Sequence, residues 1–230
     1  MRKIEGLLID VDGTFVDSNL AHAQSWHEAL KEAGIETTYQ EVRDNLGLGS
    51  DTLLSRIGKL QLKSKEAQRV RDIRREIFHQ RYLKSIKPFP SAQQLLQELN
   101  REYKIFVVSS ATEEDLEALL KQTGLLSYIE GYVSAKDTTD SNESPIEVAI
   151  RKIQLPASKL LMLGSSPYAV DAAEECGIKT IAFTCGGWRE RDLQDAVAVY
   201  KDPDDLLHTM RKKNAHVLDI RGHRGLSENI

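Results

Sequence analysis

Asp10-Val11-Asp12-Gly13-Thr14 follows directly on an apolar run over residues 4–9. Alternate residues of a strand share a face, so two carboxylates spaced i, i+2 just past a buried strand point into one cavity. One of them can attack a phosphorus atom while the other moves a proton on the leaving oxygen. Gly13 permits a turn that a Cβ would resist, and Thr14 offers a hydroxyl and an N–H to a phosphate. Asp-x-Asp-Gly also opens calcium loops. Counted from Asp10, however, the twelfth position, where an EF-hand needs Glu, is Ala21, so that reading is excluded.

Outward from this stretch the chain alternates between short apolar runs and helical periodicity. Strands are expected at 4–10, 104–109, 129–133, 159–164 and 179–184, and helices at 91–101, 113–123, 144–153 and 168–176. Such alternation predicts an α/β fold, a Rossmann-like parallel sheet with helices on both faces and its ligand edge at the strand C-termini. One long interruption, residues 16–90, has no strand pattern and reads as helices at 22–33, 39–45, 51–57 and 65–83. The prolines at 88 and 90 end it. A helical insert leaving just after the first strand stands over the sheet's C-terminal edge as a cap. The expected organisation is therefore a core of 1–15 and 91–212, a cap of 16–90, and a polar tail of 213–230.

Length and composition suit one sizeable domain or a domain with a large insertion: 230 residues, 40% of them hydrophobic, with a net charge of -4. That balance gives no reason to expect nucleic acid as a partner. The basic cluster from Arg69 to Arg75 is interleaved with Glu66, Asp72 and Glu76 and reads as a solvated helix face. No apolar run reaches membrane-spanning length, no signal-peptide pattern opens the chain, and the two cysteines, Cys176 and Cys185, imply no disulfide framework. A cytoplasmic location is expected, with no membrane partner.

The residues from Asp10 through Ser18 resemble the first motif of the haloacid dehalogenase superfamily, in its phosphatase and phosphomutase branch with a helical cap. The resemblance covers about Lys3 to Met210. Ser109, ending its strand, matches the second motif. His22 and Trp26 match a His-x-x-x-Trp pair of the first cap helix, and Gly47-Leu48-Gly49 resembles a cap loop that reaches the substrate. The resemblance implies a hydrolase acting on a small phosphorylated metabolite. Asp10 would be the nucleophile of an aspartyl-phosphate intermediate, and Asp12 the general acid and base. Thr14, Ser109 and Ser110 would hold phosphate oxygens. Mg²⁺ would sit on Asp10 and the Asp12 carbonyl.

The third and fourth motifs depart from that pattern. Aligning Pro145 with the second proline of Lys-Pro-x-Pro puts Asn142 at the lysine position. Aligning Gly164-Ser165-Ser166-Pro167-Tyr168 with Gly-Asp-Ser-Pro-Tyr puts Ser165, at best a weak ligand, at the metal-binding aspartate and Ala169 at a second aspartate. A site with four carboxylates and a lysine has a formal charge of about −3, and Asp10 with Asp12 alone gives about −2. Mg²⁺ is thus expected to bind weakly or not at all, and activity to be reduced, since one lost charge-stabilising group typically costs on the order of 10²–10³ in rate.

Two functions follow as alternatives: a weakened phosphatase, or a catalytically silent relative that binds a phosphorylated ligand or a protein partner. Carbon–halogen hydrolysis is disfavoured, because the dehalogenase branch lacks the counterpart of Asp12. Lys136 is the candidate to replace the lost lysine, and Asp171 is expected near a helix N-terminus. His22 and Trp26 at i, i+4 also fit a packed helix face, Gly47 and Gly49 fit plain turns, and Cys185-Gly186-Gly187-Trp188 is placed near the ligand edge. No feature identifies a protein partner.

Overall fold

Gly6-Leu7-Leu8-Ile9 form β1 (Gly6–Ile9), a strand buried along its whole length. Leu7 and Ile9 pack into the larger apolar cluster and Leu8 into a second one. A strand apolar on both faces belongs in the middle of a covered parallel sheet. The computed structural model, which describes residues 3–46, 49–138, 144–212 and 218, places it there. The other strands are β2 (Lys104–Val108), β3 (Gly131–Val133), β4 (Leu160–Gly164), β5 (Lys179–Phe183) and β6 (Ala198–Tyr200). Their order is β3-β2-β1-β4-β5-β6, and every neighbouring pair is parallel. The chain lays down β1, β2 and β3 in one direction and then returns to the far side of β1, so the direction reverses between β1 and β4. In doubly wound sheets ligands bind at such a reversal, beyond the strand C-termini.

Between β1 and the next core element the chain forms α1 (Asn19–Glu32), α2 (Tyr39–Asp44), α3 (Gly49–Arg56) and α4 (Lys65–Ile77). Thr38 caps α2 with a full capping box, and Ser64 caps α4. These helices share their own apolar cluster, which includes Trp26, Leu30, Val42, Leu54 and Val70. The helix expected over 65–83 changes pitch instead of continuing: a π-helical turn, Phe78–Tyr82, follows α4, and a 3₁₀ turn, Leu83–Ser85, follows that. The insert joins the sheet through two adjacent crossings. Val16 pairs with Pro88, Asp17 N–H donates to the Lys87 carbonyl at 3.0 Å, and Phe89 N–H to the Phe15 carbonyl at 2.9 Å.

The sheet is flanked by α5 (Ala92–Leu99), α6 (Glu113–Thr123), a short α7 (Ala135–Thr138), α8 (Pro145–Ile153), α9 (Pro167–Glu175) and α10 (Pro203–Lys212). Their starts follow ordinary local chemistry: Thr112 caps α6, Ser144 and Glu147 form a capping box on α8, and Pro167 opens α9. Besides the single turn of α7, two elements exceed the sequence expectation. β6 is three half-buried edge residues, too short for a periodic signal. α10 buries Leu206, Leu207 and Met210 just before the polar tail. No helix among the described residues is long and apolar enough to cross a membrane.

Candidate functional site

Asp10 is the first residue beyond β1, held by its N–H donating to the Leu163 carbonyl of β4 at 2.9 Å. Its carboxylate accepts from the Val11 N–H at 2.8 Å and from Thr14 Oγ1 at 3.3 Å. Burial, and then the neighbouring Asp12 charge, push the Asp10 carboxyl up to about 7, while those two hydrogen bonds act against the rise. Gly13 takes φ 71°, the left-handed geometry that lets the chain turn back under Asp10. Thr14 has no exposed surface; its hydroxyl also lies 3.0 Å from Ser165 Oγ, so it braces Asp10 from behind and does not line the cavity.

Asp12 is held differently. Burial raises its carboxyl, but the electrostatic pull and hydrogen bond of His22, the Ser18 hydrogen bond and, last, the Arg74 charge outweigh that and hold it below the usual carboxylate range. His22 Nε2 is 2.7 Å from Asp12 Oδ1, and Arg74 Nη2 is 2.5 Å from His22 Nδ1. Guanidinium only donates, so Nδ1 must accept and Nε2 carries the proton that goes to Asp12. The His22 ring stacks on Phe78, with centroids 4.7 Å apart and an interplanar angle of 8°. Arg74 lies over the same Phe78 ring at 4.5 Å.

These carboxylates open into a cavity of about 870 Å³ between the insert and the sheet edge. Its wall includes Trp26 and Gly49 of the insert and Ser109, Ser110, Ser165 and Ala169 of the core. Ser109 accepts a hydrogen bond from the Ala111 N–H at 3.1 Å, and Ser110 is exposed to the cavity. His22 and Trp26 do more than pack a helix face: one bonds to Asp12 and both line the cavity. Gly49 opens α3 at φ 81° opposite Ser110, while Gly47 lies outside the described residues. Gly186, Gly187 and Trp188 line the far wall, as expected for a loop after the last long strand.

The basic run on α4 is not simply a solvated face. Arg69 is exposed, but Arg74 is 8% exposed and forms an ion pair with Asp115 of α6, itself 4% exposed. The signal was present: Ala67, Val70, Arg74 and Ile77 form one buried stripe at helical spacing, with arginine at an apolar position. Sequence reasoning also missed Asp115 and Asn19 and gave Ser18 no role beyond its place in the first motif; each stands in a helix-start context where a capping role hides any other.

The lost charges are not replaced by the expected candidates. Lys136 is 73% exposed and pairs with Glu113 at 2.8 Å, outside the cavity wall. Asp171 is exposed in the middle of α9, not in its first turn, so it supplies no carboxylate at the Ala169 position. Asn142 lies outside the described residues. Ser165 is 2% exposed, its hydroxyl engaged by Thr14. Among the described residues no three His, Cys, Asp or Glu side chains gather as a metal cluster. The side-chain oxygens near Asp10 are thus its own carboxylate, the Asp12 carboxylate already held by His22 and Ser18, and the bonded Ser165 hydroxyl. That set meets only the lower limit for Mg²⁺, which takes one or two carboxylates together with substrate oxygens and water.

The family model for haloacid dehalogenase-like hydrolases matches residues 7–183, from the second residue of β1 to the end of β5. The chain belongs to the haloacid dehalogenase-like hydrolase family. Among its haloacid dehalogenase-like relatives, the phosphoglycolate phosphatase of Aquifex aeolicus is 28% identical over 213 residues, covering 89% of this chain and 95% of the relative. The pyrophosphatase PpaX of Oceanobacillus iheyensis is 22% identical, covering 86% and 91%. A hydrolase from Pseudomonas syringae shares the fold at TM-score 0.80 and 24% identity, covering 90% of this chain and 98% of that one. The expected parallel α/β core and the phosphatase-type lineage are thereby established.

Proposed function

We propose that the protein hydrolyses a small phosphorylated metabolite slowly, through an aspartyl phosphate on Asp10, with the insert of residues 16–90 acting as a cap. The observation that carries this reading is the placement of Asp10 at the end of β1, where the sheet reverses direction, with Asp12 beside it and a cavity above both. An Asp10 oxygen attacks phosphorus, the bond to the leaving oxygen breaks, and Asp12 delivers the proton that oxygen needs. Asp12 then takes a proton from water as the water attacks phosphorus, releasing inorganic phosphate and restoring Asp10. Ser109 and Ser110 orient the phosphate oxygens. Mg²⁺ entering with the substrate would be held by the Asp10 carboxylate and the Asp12 carbonyl, weakly assisted by Ser165, and would neutralise phosphate charge.

Slowness has a physical basis besides the missing metal ligand. With no cation beside it the nucleophile is raised to about 7 by burial and the Asp12 charge, a cost that weak metal binding leaves standing, whereas Asp12 is held low. Asp12 suits the base of the second half-reaction, but it must first gain a proton to serve as the acid. The test is a screen of phosphorylated metabolites with Asp10→Asn as background. Hydrolysis by the parent that disappears in the variant supports the reading, and equal turnover by both removes Asp10 from the mechanism.

The second reading, a silent phosphate-ester binding module, is favoured by one observation: the hydroxyl of Ser165 is bonded to Thr14 where a carboxylate would face the metal. Calorimetric binding of the same esters by the parent, without Asp10-dependent turnover, would select it. A cytoplasmic location fits either reading.

A further inference from the structure

The contacts between insert and core form one continuous chain: Asp12, His22, Arg74, Asp115, His79. Asp12 and Asp115 belong to the core; His22, Arg74 and His79 belong to the insert. Arg74 uses one terminal nitrogen for Asp115 Oδ2 and the other for His22 Nδ1, and His79 Nε2 lies 2.7 Å from Asp115 Oδ1. The third nitrogen of Arg74, Nε, is buried without a partner. An unpaired buried donor costs free energy, which the two bonds of the fork must offset. Planar guanidinium can span two acceptors in a fixed direction, which an ammonium cannot.

We propose that Asp115 is a positioning residue for Asp12: it fixes Arg74, Arg74 fixes His22 as the Nε2–H tautomer, and His22 presents that donor to Asp12 only when the insert is seated on the sheet. Asp115 lines the same cavity, yet no hydrogen bond joins it to Asp10 or Asp12 among the described residues, so its effect on Asp12 runs through Arg74 and His22. Without the Asp115 carboxylate, Arg74 can rotate about its side chain. His22 Nδ1 then loses its obligatory donor, and the Nδ1–H tautomer, which presents a lone pair to Asp12, becomes accessible. The inference rests on the phosphatase reading only in giving Asp12 an acid–base role; the tautomer relay stands without it.

The test is nitrogen-15 NMR of the histidine side chains in the full chain, at a pH where His22 is neutral, with turnover of a generic aryl phosphate measured in parallel. The parent should show His22 purely as Nε2–H, and Asp115→Ala should show a mixture of tautomers. Glu114→Gln removes an exposed ion pair, Arg75 to Glu114 at 3.1 Å, between the same two helices and should leave the His22 signals unchanged. If the parent turns over, Asp115→Ala should lower kcat roughly tenfold or more with little change in KM, and Asp115→Asn, still an acceptor for Arg74, should recover most of it. Should Asp115→Ala fail to fold, Arg74→Gln serves instead, because an amide imposes no single role on Nδ1. A parent with Nδ1–H, or a folded Asp115→Ala or Arg74→Gln that remains purely Nε2–H, overturns the proposal. A relay confirmed by NMR in a protein without turnover overturns the phosphatase reading and leaves the relay standing.

Discussion

Asn19 donates its side-chain amide to the Gly186 carbonyl at 2.9 Å, joining the first residue of α1 to the loop that follows β5. This bond closes the cavity wall on the side of Ser165. It depends on Gly13, because a Cβ at position 13 would lie 2.2 Å from the Asn19 amide nitrogen.

Gly13→Ala is therefore expected to destabilise the fold by about 1–3 kcal/mol, combining the left-handed backbone with the displaced Asn19. Chemical denaturation measures it. A loss well below 1 kcal/mol would mean that Asn19 moves aside freely and the tie to Gly186 is incidental.

The raised Asp10 carboxyl makes a signed prediction for stability. With the folded value at about 7 against an ordinary 3.8, the folded state binds more protons between those limits, so this group lowers stability as pH rises through them. Asp10→Asn should raise the thermal midpoint above pH 7, and the gain should shrink as pH falls from about 7 toward 3.8 and be gone below that. A gain that does not vary with pH would show that Asp10 is not destabilised by its burial.

Restoring the carboxylate at the end of β4 should create metal dependence. A Cβ on Gly186 would come within 2.5 Å of Ser165 Oγ, so the space around Ser165 is tight. Ser165→Asp is expected to cost on the order of 1–3 kcal/mol without metal, and Mg²⁺ should return part of that as a higher thermal midpoint. The parent should shift little at the same concentration. Identical Mg²⁺ responses in both proteins would mean that the metal, if bound, does not reach position 165.

Phe78 links the packing of the sheet to the groups around Asp12. It is fully buried in the larger sheet cluster and carries both His22 and Arg74 on its ring. Phe78→Ala should cost about 3–5 kcal/mol by cavity formation, and Phe78→Leu less. If turnover is measurable, it should fall further in Phe78→Leu than that variant's stability loss alone explains, because His22 and Arg74 lose their common platform.

The sequence shows the sheet far more clearly than the machinery around it. β1, β2, β4 and β5 are apolar runs with polar boundaries, and such runs declare themselves locally. β6 is not legible, because three half-buried residues at a sheet edge leave no period to detect. Asp10 and Asp12 are legible because i, i+2 spacing is a local fact. Arg74 and Asp115 are not, because they are 41 positions apart and their meaning arises only when the insert meets the core. Arg74 in an apolar stripe was the one available clue. Lys136 illustrates the reverse: proximity in sequence to the third-motif segment suggested a role, and an exposed pair with Glu113 uses its charge elsewhere.

The joint at Val16 and Pro88 carries an evolutionary consequence. Entry and exit of the insert lie side by side and are bonded to each other, through Asp17 to Lys87 and Phe89 to Phe15. Any helical segment whose ends reach that doorway can be exchanged without disturbing the strand register beneath. The insert is in this sense a cassette. The surface that the insert turns to the cavity can thus vary independently of the sheet edge that carries Asp10 and Asp12.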